Sequence, residues 1–162
     1  MNVTPEIRNL DAQPVLYARE TGVINGDFTQ AAQTAFARLM GFLQSNNLAD
    51  KWSYCLGITP DDPNVVSPAD CRYDAGVVLH EGVNVELNDD VAIQTLSAGR
   101  YAVFAHHGPY NTLWQTWNAA YRDWLPMSGE QLRDAVPYEI YLNDASETKP
   151  EALETEIFIP IQ

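Results

Sequence analysis

Positive charge is scarce in this chain of 162 residues, which has 9 Lys and Arg against 22 Asp and Glu and a net charge of −13. A surface this acidic repels phosphate backbones, so we expect no direct nucleic-acid binding. The same charge disfavours anionic membrane surfaces and favours cationic partners, although acidity often serves solubility alone. Residues 81–162 hold 13 of the acidic and 4 of the basic residues, so a cation-attracting site is expected there.

Cysteine, histidine and long apolar runs are also in short supply. No apolar run reaches the ~18 residues of a membrane helix, and residues 1–10 lack the features of a signal peptide. We therefore expect a cytoplasmic protein in which Cys55 and Cys71 are reduced thiols. His106 and His107 are adjacent, so a strand would point them to opposite faces, while His80 stands alone. No metal and no cofactor are expected.

Apolar and aromatic residues are plentiful, and their pattern repeats. Both halves of the chain read strand–helix–strand–strand, at an offset of about 84–86 residues. The first set is Gln13–Glu20, 28–45, Tyr54–Thr59 and Arg72–Leu79, and the second is Arg100–His107, 113–125, Tyr138–Leu142 and Thr155–Ile161.

The two helices have similar start signals. Asp27 with Gln30, and Thr112 with Gln115, both fit a capping box, and Pro126 is expected to end the second helix. We infer a single α+β domain over 1–162, made of halves 1–80 and 88–162 related by a pseudo-two-fold axis. Its antiparallel sheet would be backed by two helices, with a ligand cleft between the halves.

The strand Tyr138–Asn143 places a carboxylate among β-forming residues. Alternation puts Glu139, Tyr141 and Asn143 on one face. An ionised Glu there is costly to desolvate, and the nearest basic residue in sequence is Arg133, beyond Pro137. The partner is either a cationic ligand held among aromatic rings, or hydrogen bonds or a distant arginine supplied by the fold.

Small residues occupy the equivalent positions of the first half. At the repeat offset, Cys55 and Gly57 match the face of Glu139, which would leave room for a ligand unless loops fill it. Cys55 and Gly57 are therefore candidate lining residues.

The second helix carries four aromatic residues along one stripe: Trp114, Trp117, Tyr121 and Trp124. Such a stripe is mainly packing in most helices. Trp114 lies in the first turn beside Tyr110, so these two are the better candidates for ligand contact, with Trp117 next to them.

The chain resembles the GyrI-like small-molecule-binding family. The resemblance is carried by Ala98–Phe104, His107–Tyr110, Leu113-Trp114, Trp124–Pro126, Tyr138–Asn143 and Glu156–Pro160. It implies the duplicated fold, a ligand cleft and a central Glu that binds organic cations, for which the matching position is Glu139. The family also serves as the effector-binding part of multidrug-sensing and AraC-type transcription regulators; this chain is expected to be a stand-alone version.

Three functions follow from these expectations. The first is a protein that captures amphipathic, aromatic or cationic small molecules, with Glu139 as counter-charge. The second is a hydrolase of cyclopropane-containing toxins, as some relatives are, with Glu139 as general base and the only catalytic candidate. The third is an interaction module like the gyrase inhibitor that names the family, with an unknown protein partner.

Overall fold

The computed structural model describes residues 3–24, 27–62 and 64–162. The chain forms two compact units. The first unit is Gln13–Leu96, and the second unit combines the residues up to Ala12 with Ser97–Gln162.

The first unit is a four-stranded antiparallel sheet with one long helix. Its elements are β2 (Gln13–Thr21), α1 (Thr29–Ser45), β3 (Trp52–Ile58), β4 (Arg72–Leu79) and β5 (Ala92–Leu96). Along this sheet the strand order is β3-β4-β2-β5, with every pair antiparallel. The helix forms because small and apolar residues recur on one face, and its buried positions are Ala31, Ala35, Leu39, Phe42 and Leu43.

The second unit has the same kind of sheet. Its elements are β1 (Glu6–Leu10), β6 (Gly99–His107), α2 (Leu113–Asn118), a π-helical turn (Ala119–Trp124), α3 (Leu125–Ser128), β7 (Tyr138–Tyr141) and β8 (Glu154–Ile161). The strand order in this sheet is β7-β8-β6-β1, again antiparallel throughout. The predicted α+β class with antiparallel strands and two main helical segments is confirmed, whereas the internal duplication stays a prediction.

Each unit buries one sheet face under its helix. In the second unit Ala102, Phe104, Ile157 and Ile159 pack against the helical segment from Leu113 onward. Cross-strand register places these residues on one face, because Ala102 lies opposite Ile159 and Phe104 opposite Ile157. The helix-facing side of this sheet is therefore apolar where β6 meets β8.

Two details of the helix predictions were wrong. The segment continues past Pro126 to Ser128 because Pro126 lies in the first turn of a separate helical element, directly after the π-helical turn, where a missing backbone N–H is tolerated. Neither predicted capping box forms. The Thr112 hydroxyl makes no cap bond to α2: it donates to the Pro109 carbonyl, and its oxygen lies 3.0 Å from His106 Nε2. The N-cap of α1 is Phe28, without a side-chain cap bond, and the Asp27 carboxylate accepts from the Thr29 amide at 3.0 Å.

A buried ion pair joins three strands of the first unit. Asp74 on β4 is fully buried, and Arg19 on β2 donates to both of its oxygens at 2.7 and 2.9 Å. Gln94 on β5 adds a third hydrogen bond of 2.9 Å. The fold thus compensates the lost hydration of this carboxylate with a bidentate arginine and an amide.

We predict that Arg19→Met lowers the free energy of unfolding by about 2–3 kcal/mol. Breaking a fully buried pair costs about 3–5 kcal/mol, and the partial exposure of Arg19 reduces that loss. Urea denaturation with an unchanged m-value is the measurement. Arg38→Met is the control, since its pair with Glu20 is more exposed and is expected to contribute about 1 kcal/mol or less. Equal losses in both variants would contradict a special role for the Asp74 pair.

Candidate functional site

Glu139 lies on the helix-facing side of β7. Its strand position is opposite Ile157 of β8, a residue of the core under α2. Tyr141 follows two residues later on the same face and lies opposite Thr155. The predicted alternation of this strand is confirmed, since Tyr138, on the other face, is buried against the Phe158 ring.

The Glu139 carboxylate accepts one hydrogen bond on each oxygen, and both donors are aromatic residues. Trp117 Nε1 of α2 donates to Oε1 at 2.7 Å, and the Tyr141 hydroxyl donates to Oε2 at 2.8 Å. Both contacts lie within the normal range for hydrogen bonds. The helix and the strand therefore hold the carboxylate in one orientation from two sides.

No ion pair among the described residues involves Glu139. Arg133, the nearest basic residue in sequence, instead stacks over the Tyr101 ring at 4.9 Å and donates to Ser97. Desolvation raises the pKa of Glu139 above its ordinary value, while the hydrogen bonds from Trp117 and Tyr141 lower it by less. Glu139 is a half-buried carboxylate that neutral groups hold in place.

Each of the two donors to Glu139 packs against a further aromatic ring. The Tyr110 ring lies 5.3 Å from that of Tyr141, and Trp117 stacks on Tyr121 at 6.0 Å. The aromatic cluster of Tyr110, Trp117, Tyr121 and Tyr141 thus forms around Glu139. Trp114 remains 59% exposed. Rings in this arrangement offer π faces to planar or cationic molecules.

The remaining predicted lining residues are Asn143, Cys55 and Gly57. The Asn143 side chain ties the end of β7 to the start of β8, donating to Ala152 O and accepting from Glu154 N at 3.0 Å each. In the first unit, Cys55 packs partly against the α1 core, and Gly57 is buried two residues further along β3. Their contact with a ligand stays a prediction.

Sequence reasoning missed a polar row beside the site. His106 on β6, Thr155 on β8 and Tyr141 on β7 lie opposite one another in register, on the helix-facing side. His106 is buried and contacts the hydroxyls of Thr112 and Thr116. The strict two-residue alternation along β6 could have indicated that His106, unlike His107, faces the core.

The described residues contain neither a metal-binding cluster nor a membrane-spanning helix. Within 3–24, 27–62 and 64–162, no group of three or more His, Cys, Asp or Glu residues is arranged to hold a metal ion. No helix in that part of the chain has the length and apolar character needed to cross a membrane. Cys55 and Cys71 are not joined by a disulfide.

Comparison with known families identifies the domain. The model of the GyrI-like small molecule binding domain matches residues 4–162. The chain belongs to this family. Among relatives of the GyrI-like protein, the probable transcriptional regulator YgiV of Escherichia coli K12 is 32% identical over 67% of this chain and 68% of its own length. The DNA gyrase inhibitor of Serratia proteamaculans is 30% identical over 88% of both chains.

Solved structures share the fold at lower identity. The C-terminal domain of EcmrR has a TM-score of 0.75 and 15% identity, over 100% of this chain and 99% of its own. SAV2435 bound to tetraphenylphosphonium has a TM-score of 0.62 and 18% identity, over 100% and 94%. A hydrolase from Listeria innocua has a TM-score of 0.66 and 15% identity, over 98% and 92%. These likenesses show the shared fold, and the family match over residues 4–162 is what makes the chain a GyrI-like small molecule binding domain.

The raised pKa of Glu139 predicts a pH-dependent stability. The folded protein holds this proton to a higher pH than the unfolded chain, so stability falls as pH rises from the unfolded value near 4.5 through the raised pKa. Glu139→Gln removes the charge, and the variant is expected to gain stability relative to the parent as pH rises from 4 to 8. Urea denaturation across this range is the measurement. Glu147→Gln, on the exposed loop after β7, controls for net charge. The same pH trend in Glu147→Gln would contradict the conclusion that the trend comes from the raised pKa of Glu139.

Proposed function

We propose that this protein captures amphipathic, aromatic or cationic organic compounds at the aromatic cluster around Glu139. Glu139 supplies the counter-charge, and Tyr110, Trp114, Trp117 and Tyr141 supply the walls. Asn143, Cys55 and Gly57 are further candidate contacts. No direct contact with nucleic acid and no role for a metal or cofactor are part of this proposal.

The proposal rests on one observation. The half-buried carboxylate of Glu139 accepts hydrogen bonds from Trp117 and Tyr141 and has no ion pair among the described residues. Neutral donors fix the carboxylate but leave its negative charge uncompensated. A bound organic cation would supply that charge, and its apolar part would pack on the neighbouring rings. The charge of −13 adds a long-range attraction for the same class of ligand.

The likeness to SAV2435 supports the choice of probe, because that protein was solved with tetraphenylphosphonium. Tetraphenylphosphonium is a permanent cation with four aromatic rings, so its charge does not change with pH. Triphenylphosphine oxide is a neutral compound of related shape and lacks the charge.

We predict that Glu139→Gln weakens tetraphenylphosphonium binding at least ~10-fold, equivalent to about 1.4 kcal/mol. The glutamine carbonyl can still accept from Trp117 Nε1, and the Tyr141 hydroxyl can turn to accept from the glutamine amide, so the loss reports charge rather than shape. The affinity for triphenylphosphine oxide is expected to change less than ~2-fold. Isothermal titration calorimetry at pH 8 measures both. Glu147→Gln makes the same charge change on an exposed loop and is expected to bind like the parent. Equal affinity of the parent and Glu139→Gln for the cation rules out the proposed role of Glu139.

Hydrolysis of a strained, electrophilic ring is the second candidate function. The raised pKa of Glu139 favours it, because a general base near the working pH takes a proton from water more effectively. The water oxygen would bond to a cyclopropane carbon as a ring C–C bond breaks. The released electron pair would pass to the substrate's conjugated carbonyl, which gains a proton. Tyr141 would orient the base.

This reaction predicts turnover in the parent protein and none in Glu139→Gln. Chromatographic detection of a water-addition product from a cyclopropane-fused dienone is the measurement, with Glu147→Gln as the matched control. Binding without product formation in the parent would show that the protein captures the compound and does not hydrolyse it. Product formation that persists in Glu139→Gln would show that another group, or no group, acts as the base.

A further inference from the structure

Of the three histidines, which all lie in the described part of the chain, only His106 is buried, and the proposed function does not use it. It lies near the end of β6, 6% exposed, on the sheet face covered by α2. Its Nδ1 is 2.7 Å from the Thr116 hydroxyl, and its Nε2 is 3.0 Å from the Thr112 hydroxyl. Both ring nitrogens are therefore engaged by the helical segment that follows.

The Thr112 hydroxyl determines where the proton of this ring sits. It donates its single hydrogen to the Pro109 carbonyl at 2.7 Å, so it can only accept from the imidazole. His106 Nε2 must then carry a proton. Its Nδ1 is left with a lone pair in the neutral ring and accepts from the Thr116 hydroxyl. The arrangement fits the neutral Nε2–H tautomer.

The same chain of bonds fixes the turn that leaves β6. Gly108 has a φ of +127°, which favours glycine, and its amide donates to Leu153 O at 2.9 Å. The Pro109 carbonyl then accepts from both the amide and the hydroxyl of Thr112. The next residue after Pro109 is Tyr110, whose ring lies 5.3 Å from that of Tyr141.

We propose that His106, as the neutral Nε2–H tautomer, is the positioning residue that fixes the Gly108–Thr112 turn and thereby holds Tyr110 against Tyr141. The inference rests on the proposed function, since Tyr141 donates to Glu139. His106 acts at a distance, through Thr112 and Pro109, and does not contact the ligand.

The electrostatic surroundings favour the neutral ring. On β6 the neighbouring His107 points to the other face, where it lies 3.5 Å from Glu154 of β8. On the face of His106, the opposing residue of β8 is Thr155, and α2 contributes Thr116. Tyr141 and Glu139 belong to β7, beyond β8. Burial is the main cause that lowers the pKa of His106. A backbone hydrogen bond at Pro109 raises this pKa by less, and the nearby His107 lowers it further.

Two isosteric substitutions separate positioning from simple packing. Thr112→Val removes the link from His106 to Pro109, whereas Thr116→Val removes the other bond of the ring and leaves that link intact. We expect the ring-to-ring nuclear Overhauser effect between Tyr110 and Tyr141 to be lost in Thr112→Val and kept in Thr116→Val. Tetraphenylphosphonium affinity is expected to fall at least ~5-fold in the first and less than ~2-fold in the second.

A second pair of variants tests the histidine itself. His106→Gln keeps an amide donor that can reach Thr112, so we expect it to retain the Tyr110–Tyr141 contact. His106→Leu is expected to lose that contact. Nitrogen-15 shifts of the parent ring are expected to show a protonated Nε2 and an unprotonated Nδ1.

The outcomes keep the two proposals apart. A Tyr110–Tyr141 contact that persists in both Thr112→Val and His106→Leu, or a ring protonated on Nδ1 alone, overturns the positioning role whatever the ligand result. Loss of the contact without loss of cation affinity overturns the link from His106 to the ligand site. Failure of Glu139→Gln to weaken cation binding instead overturns the proposed function, and the ring contact still tests His106.

Discussion

The partial burial of one carboxylate constrains the architecture around the candidate site. A charge that loses hydration must be compensated, and a hydrogen bond to each oxygen is the minimum that keeps it in place. Glu139 receives those bonds from Trp117 of α2 and from Tyr141 of its own strand. The position of α2 over the sheet is therefore coupled to the orientation of the carboxylate, and a shift of the helix would release one of its two donors.

The start of α2 is itself held by polar contacts from the sheet. His106 meets the hydroxyls of Thr112 and Thr116, one before the helix and one within it. Apolar packing of Leu113 and Ala120 on Phe104 and Ile157 is non-directional, so it fixes the distance between helix and sheet better than the rotation of the helix. Directional bonds at His106 and Glu139 add the missing constraint.

The sequence predicts β2, β3, β4, β6, β7 and β8 because each contains a run of apolar and β-forming residues. It misses β1 and β5, since Glu6–Leu10 and Ala92–Leu96 are five residues each and are only partly buried. The face of Glu139 follows from alternation alone, but its partners do not. Trp117 is 22 residues away in sequence, and only the packing of α2 brings its indole N–H to the carboxylate. The sequence predicts a helix cap at Thr112 because the capping motif cannot reveal that the His106 ring contacts the same hydroxyl oxygen.

The fold surrounds two carboxylates, the buried Asp74 and the half-buried Glu139, with opposite kinds of partner. Asp74 receives a bidentate arginine and an amide, which compensate its charge within the fold. Glu139 receives only neutral donors, although Arg133 lies six residues before it and packs on Tyr101 instead. With 9 basic residues in the chain, arginines are few, but the fold does supply one where a carboxylate is purely structural. A charge that is oriented and left uncompensated among aromatic rings keeps its attraction for a cation from outside the chain, and that attraction is what a binding site for organic cations requires.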